Sequence, residues 1–546
     1  MNLLARQTAL LPGPVAQAVN RSRARPDEIT VESRDALPVN GLVRNGRQLL
    51  FHSRYAAAQE AARIAESTAR AGCVVVLGLG MGHHLHAMAR QSARIVCVEP
   101  DPALVRSALE LTDLTGLLRS GRLVIVTSVS PDVLIDSIAS SYVPALHGPL
   151  ICVGLPGRLR AEPDRMSAAR DAVSQAFESI RNDLAVQARF GRQWTRNAIL
   201  NLIGANVGEL PDFHGMPVVV AAAGPSLEDA MHEVAAPGVR IIAVDTALPV
   251  LTGYGVRPDV VLTVDCQSVS YHHYLAACLP DVQTVADLSA STSVFTHMRS
   301  VLPVLTDHPL HTLFRRLGYA APYVDARGGN VTQAAVDLAV RCGAQEVRLV
   351  GADYSYPGGA AYARGSYLHR LFAAKASRLT PQETRHHRFI MERPGVHRDP
   401  EQPTRLLHPL LSQYASSMVR FAESLPVALT RRQDRGVDLR LARARDEPDG
   451  DRPASRTIEP ARRPEPPRAV LAEAARLFRE IRHPRALQAA LDAGSEPASF
   501  AARALLPFLT HLAATDPHAD PAMLVHRATD ETTELLEAAI ARVEIS

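Results

Sequence analysis

Two segments of this chain repeat one arrangement: an aliphatic run, a glycine turn, a helical pattern, and a second aliphatic run that ends in an acid. The first is CVVVLGLGMG, then HHLHAMARQ and ARIVCVEP; the second is VVVAAAGPSLEDAM, then VRIIAVD. Gly78 precedes Glu99 and Gly224 precedes Asp245 by the same 21 positions. Continuous aliphatic runs bounded by glycine are strands buried on both faces, and strands alternating with helices build parallel sheets. The expected fold is therefore α/β, with two Rossmann-like doubly wound domains and a C-terminal all-α segment. The remaining residues of the two segments do not match, so they are two sheets of one type and not a tandem repeat.

A chain of 546 residues is too long for one ordinary core. The first domain is expected over 1–185, irregular at its start, with a helix from about Tyr55 to Ala71. LVIVTS and ALHGPLICVG supply its later strands. A helical stretch over roughly 165–207 leads into a central domain, 186–442, with further strands in QTVADL, SVLPVLT and AQEVRLVGADYSY. Residues 443–468 (RARDEPDGDRPASRTIEPARRPEPPR) are dense in proline and in both charges, a composition expected to give a disordered linker. Residues 469–546 are expected to form a small helical domain, cut into short pieces by Pro484, Pro497, Pro507 and Pro517. On that division, removing 443–546 should leave the α/β core folded.

Composition excludes several classes. Lys375 is the single lysine among 59 basic residues, so there is no P-loop, and any Schiff base would have to use Lys375. Its surroundings, LFAAKASRL, look helical and do not suit the strand lysine of a kinase. A net charge of +3 gives no broad footprint for nucleic acid. The six cysteines form no CxxC pair and suggest a reducing compartment. No run of 18 apolar residues is present, and the N-terminus lacks a signal pattern, so no membrane partner and a cytoplasmic address are expected.

The candidate chemistry lies at strand ends. The turn Gly78–Gly82 with Glu99 can be read as a nucleotide or S-adenosylmethionine site, or as a tight turn that serves packing only. No methyltransferase motif follows it, which favours packing. Gly224, Pro225 and Ser226 open the second turn, where backbone N–H groups at a helix start could hold a phosphate. Asp245 and Asp265 both end strands of this unit and should face its cleft, one for a ribose, the other as base or metal ligand. Asp259 is read as fixing the loop before its strand. Gly328, Gly329 and Asn330 precede a helix and form another candidate anion nest. Asp353, Tyr354 and Tyr356 follow the strand EVRLVG, where such sheets display chemistry. The histidine pairs lack HExxH-type spacing, and no histidine-bound metal is expected. The polar stretch around 376–410 reads as an excursion or lid.

In order along the chain, AAAGPSLED, IIAVDTALPVLTGYGVRPDVVLTVD, GGNVTQAAVDLAVRCGAQEVRLVGADYSY and RGSYLH resemble the motility accessory factor family. Its central domain is related to 6-hydroxymethylpterin diphosphokinase. SRYAAAQEAARIAES, GLGMGHHLHAMAR and VCVEPDP are similar to that family's N-terminal domain, extending the resemblance to about 50–440. The resemblance implies a sialyltransferase-like central fold. It also implies a cytoplasmic glycosyltransferase that moves a nonulosonic (sialic-acid-like) sugar from a CMP-activated donor to Ser/Thr of flagellin, needed for flagellar assembly and motility. Position by position, it implies donor binding by Gly224, Pro225, Ser226, Asp245 and Asn330, and catalysis by Asp353 and Asp265, with no metal cofactor required. GADYSYPGG stands where relatives carry a GQDLA-like stretch, which bears on the choice of sugar. The alternatives are diphosphate transfer from ATP to a pterin with Mg²⁺, and a non-catalytic flagellin-binding chaperone.

Overall fold

Cys73–Leu77 (CVVVL) contains no polar position and is buried along its whole length, as a strand covered on both faces must be. The computed structural model describes residues 2–545 except 24, 26, 35–36, 92–93, 206, 432–434, 442–464 and 495. Cys73–Leu77 is an inner strand of a parallel sheet with the order Leu123–Val126, Arg94–Val98, Cys73–Leu77, Leu150–Gly154. Its side chains alternate. Val74 and Val76 join one core with Val19, Leu85 and Met88, while Val75 and Leu77 join another with Leu134, Ile138, Ala169 and Val173. Each such buried aliphatic side chain contributes roughly 2 kcal/mol of transfer free energy.

The start of the chain is more regular than expected. Helices Leu3–Thr8 and Gly13–Arg21 pack beneath Pro102–Leu111, and Ile29–Arg34, Leu37–Arg44 and Arg47–Leu50 form an antiparallel meander. Asn45 and Gly46, both at positive φ, make its last turn. The strands are only partly buried and mix polar with apolar residues, so no continuous aliphatic run marks them.

The second sheet has seven parallel strands, in the order Val301–Val304, Thr284–Asp287, Val260–Thr263, Arg240–Val244, Pro217–Ala221, Glu346–Val350, Ala428–Arg431. The chain winds outward from Pro217–Ala221, then returns to its other side with Glu346–Val350. The reversal of strand order, where such sheets bind ligands, thus falls between those two strands. Helix Val331–Arg341 precedes Glu346–Val350 and packs mainly on Pro217–Ala221 and Arg240–Val244. The excursion over 356–407 forms helices Tyr367–Ala374 and Gln382–Met391 and a small antiparallel sheet.

Contacts divide the chain into two compact units. One holds Met1–Gly191, His483–Arg485 and Leu506–Ala528; the other holds Arg192–Arg482, Ala486–Leu505 and Thr529–Ser546. The boundary thus falls inside the helix Pro163–Gly204. The expected linker lies, for 443–464, outside the described residues. The C-terminal residues 469–546 do not make a unit of their own, because their helices contribute to both cores. Val470, Leu471 and Phe478 of Pro467–Glu480 are buried, and that helix packs on Pro309–Arg316. Pro507 does not end a helical piece; it lies within Pro497–Thr515. There its carbonyl presses on the backbone of Gly191, where a Cβ would come within 1.8 Å of the oxygen. Glycine is required at that crossing.

Two outcomes follow for the chain's stability. Gly191→Val should force the crossing apart and cost about 1–3 kcal/mol in urea unfolding. A chain ending at residue 441 should lose its cooperative transition because both cores are uncovered. Wild-type unfolding of that truncated chain would show the C-terminal helices to be dispensable.

Candidate functional site

The first glycine turn is filled by the protein itself. Gly78, Gly80 and Gly82 all have positive φ, which explains the residue type. A Cβ at Gly78 would stand 2.7 Å from Arg158 Cγ, and one at Gly80 would stand 2.5 Å from His52 Nε2. Glu99 and Arg158 are fully buried. Arg158 donates from Nη2 to Glu99 Oε1 at 2.9 Å and from Nε to Oε2 at 3.0 Å. Leu79 N and Asp101 N donate to the same carboxylate, both at 3.2 Å. Met81 N donates to His52 Nε2 at 3.2 Å. The acid that could have met a ribose is committed to an internal guanidinium, and the packing reading is the one the geometry supports.

The second turn is closed in a related way. Gly224 N donates to Gly351 O at 2.7 Å and Ala222 N to Val350 O at 2.9 Å, so the loops beyond the two central strands are tied together. Ser226 N donates to Asp353 Oδ2 at 3.0 Å. A Cβ at Gly224 would lie 2.4 Å from that same oxygen. The anion held by this turn is therefore a side chain of the protein. No long helix starts here: Pro225–Ala230 is a 3₁₀ turn followed by the short helix Met231–Val234. Asp353 is 3% exposed, and its own carbonyl accepts from Val437 N at 2.9 Å. Asp353 thus clamps the turn, which leaves it poorly placed as the proton acceptor expected from its position. Pro225 and Ser226 are buried in the clamp. Tyr354, next in sequence, holds φ 49°, a strained backbone for a tyrosine. Asn330 caps Val331–Arg341, accepting from Gln333 N at 3.0 Å and donating to Gly328 O at 3.0 Å. That role needs no ligand.

Asp245 and Asp265 lie within electrostatic reach of each other. Asp245 is buried, with Oδ1 accepting from Thr246 N at 2.7 Å and Oδ2 from Thr263 Oγ1 at 2.7 Å. Asp265 is only half-buried, and its Oδ1 accepts from Gln267 N at 2.9 Å. Burial raises the Asp265 carboxyl above its ordinary value, and the nearby Asp245 charge adds to that. Asp259 pairs with Arg240 Nη1 at 2.8 Å and accepts from Ile241 N, holding the loop before its strand. Two cleft residues escaped the sequence reading. His273 lies near both carboxylates, which oppose the lowering of its pKa by burial. Tyr362, from the excursion, has a phenol raised by burial and influenced by both acids and by Arg393. Neither carries a motif; only the folded excursion and the helix Val269–Ala277 bring them here.

The loop that carries Asp265 and the loop that follows Thr284–Asp287 are held from behind by an amide ladder. Gln193, Asn197 and Asn201 fall on one helix face. Gln193 Nε2 donates to Cys266 O at 2.6 Å, Asn197 Nδ2 to Cys266 O at 3.0 Å, and Asn201 Nδ2 to Leu288 O and Ala290 O at 2.9 Å each. Next to it, Asp287 accepts from Thr306 Oγ1 at 2.7 Å, and His311 Nε2 lies 2.8 Å from Ser289 Oγ. Burial pushes the Asp287 carboxyl up to about 6. It pushes the His308 and His311 imidazoles down to about 3.

With the geometry in place, comparison with known proteins defines the class. Residues 192–359, from the amide ladder to the end of the Asp353 loop, match the family described as 6-hydroxymethylpterin diphosphokinase MptE-like. An uncharacterised protein of Treponema pallidum (strain Nichols) is 32% identical over 169 residues, 30% of this chain and 80% of that protein. A second from the same organism is 30% identical over 144 residues, 24% of this chain but only 36% of its own length. The chain belongs to this MptE-like family. Its fold is that of the motility accessory factor (MAf) glycosyltransferase from Magnetospirillum magneticum AMB-1, with a TM-score of 0.58 at 15% identity, over 99% of this chain and 96% of that one.

The histidine cluster gives the central sheet a defined acid response. His308 and His311 sit below their unfolded value of 6.5, so the unfolded chain binds their protons first. The stability they contribute is complete above about pH 6.5 and is lost as pH falls toward 3. Asp287, raised in the fold, acts oppositely between about pH 4 and 6. Two imidazoles against one carboxyl leave a net of one proton, about 1.4 kcal/mol per pH unit over that window. His308→Asn, which retains an N-cap for Pro309–Arg316, should flatten the urea-unfolding free energy against pH by that amount. An unchanged slope would contradict the assignment.

Proposed function

We propose that the second unit is a glycosyltransferase that moves a nonulosonic sugar from a CMP-activated donor to Ser/Thr hydroxyls of flagellin, in support of flagellar assembly and motility. The observation that carries this reading is the Asp245–Asp265 pair of strand-end acids in an MptE-like domain, within a chain that shares the fold of the MAf glycosyltransferase. Asp245, fixed by two hydrogen bonds, is suited to hold a ribose hydroxyl in a set position. Asp265, half-buried and raised, is the more exposed of the two acids and the one suited to meet an acceptor hydroxyl. Arg393, its guanidinium 4.5 Å from the Phe389 ring centre and in electrostatic reach of Tyr362, is a cation for the departing phosphate. The clamp of Asp353 on Gly224, Pro225 and Ser226, with the cap of Asn330, keeps the strand ends in register. No described helix is long and apolar enough to cross a membrane.

The family description favours one rival, diphosphate transfer from ATP to a pterin with Mg²⁺. Both Asp245 oxygens already accept hydrogen bonds, which leaves Asp265 to meet a cation nearly alone. Calorimetry with CMP and with ATP, each with and without Mg²⁺, separates the two. The glycosyltransferase reading expects CMP to bind without Mg²⁺. Metal-dependent ATP binding alone supports the rival, and flagellin binding with neither nucleotide supports a chaperone. In the intact mass of flagellin, Asp265→Asn should abolish the sugar increment while the variant unfolds as wild type. Asp353→Asn should instead lower stability by about 1–3 kcal/mol, the cost of a damaged buried hydrogen bond to a charged group.

A further inference from the structure

Helix Val269–Ala277 turns its face of Ser270, His273, Tyr274 and Ala277 inward, against the turn Asp245–Ala247. This places His273 between the Asp245 turn on one side and the excursion on the other. Tyr367 covers it edge-on, with ring centroids 5.7 Å apart at 86°, and stacks on neighbouring His272 at 5.2 Å. His273 is 8% exposed, and its Nδ1 is buried without a hydrogen-bond partner. The cleft carboxylates differ: Asp245 is spent on Thr246 and Thr263, and Asp265 holds Gln267 N. An unsatisfied ring nitrogen beside two carboxylates is a group with a task still open.

We propose that His273 takes the proton from the acceptor hydroxyl, with Asp245 and Asp265 stabilising the imidazolium that forms. This rests on the glycosyl-transfer reading. The charged and titratable groups that face the ring are Asp245 on its turn, Asp265 at its strand end, His272 on the same helix and Tyr367 from the excursion. Burial keeps the resting imidazole neutral and able to accept. In the step, the bond from the anomeric carbon to the donor phosphate breaks and its electron pair leaves with CMP. The acceptor oxygen bonds to that carbon, and its proton passes to His273 and then to solvent. Asp265 becomes a positioning residue that acts through the imidazole.

The test measures transfer from a CMP-nonulosonate to purified flagellin by the full-length wild type, His273→Gln and His272→Gln. His273→Gln should lower kcat by about 10²–10⁴-fold, with the donor KM within about twofold, and should lose the rise of rate with pH that the proposal expects of the wild type. His272→Gln should keep that rise. Unchanged CMP affinity would show that the site of His273→Gln remains folded. Imidazole added to His273→Ala should restore part of the rate. A His273→Gln variant with wild-type kcat and pH profile overturns the proposal, as does residual activity that keeps the wild-type profile without imidazole rescue. Absence of transfer by the wild type itself would sink the glycosyl-transfer reading and this inference with it; equal transfer by wild type and His273→Gln would sink the inference alone.

Discussion

The hydrogen bond from Ser226 N to the Asp353 carboxylate is the contact on which the second unit's working edge depends. It spans the reversal of strand order and joins the loop after Pro217–Ala221 to the loop after Glu346–Val350. Gly224 has no side chain because the Asp353 carboxylate needs that space, and Gly351, itself at positive φ, has none because the Ala222 carbonyl takes its space. With the crevice shut there, the more accessible acid is the half-buried Asp265, two strands along, with the buried Asp245 on the strand between. The excursion then closes over them: Ala363 N donates to Ala223 O at 2.9 Å, and Arg370 donates to Ala276 O and Pro249 O.

The first unit solves the same problem with a different pair. There Glu99 and Arg158, both fully buried, close the turn that a cofactor phosphate would otherwise approach. Removing one partner would strand the other charge in the core, typically at several kcal/mol, so the pair is a commitment to structure. Two turns with one sequence signature have thus both been filled from within, one by an ion pair and one by a carboxylate on backbone amides. A glycine turn shows that something approaches the backbone closely; it does not say that the something is a ligand.

Much of the fold was legible because strands such as CVVVL and VVLT lie buried on both faces and leave continuous aliphatic runs. The sheet order was not, since pairing is long-range, and the amino-terminal meander escaped because its strands are partly exposed and carry no continuous aliphatic run. Asp245 and Asp265 were readable as strand-terminal acids that a parallel sheet must place at one edge. The role of Asp353 was misread for the same reason: it too ends a strand, and only the backbone geometry around Gly224 shows it turned inward. His273 and Tyr362 left no local signal, because what matters is the packing of a helix and an excursion against those acids. The C-terminal helices were recognisable one by one, but the glycine crossing at Gly191 that fastens them was not.

The account's central claim is that both glycine turns are sealed and that the working cleft lies beside Asp245 and Asp265. A crystal structure of the protein soaked with CMP tests it most directly. The account predicts nucleotide density against Asp245, Asp265 and Tyr362, with the Glu99–Arg158 pair and the Ser226–Asp353 bond both intact. Nucleotide seated on Gly78–Gly82, or a phosphate on Ser226 N in place of the Asp353 carboxylate, would contradict it.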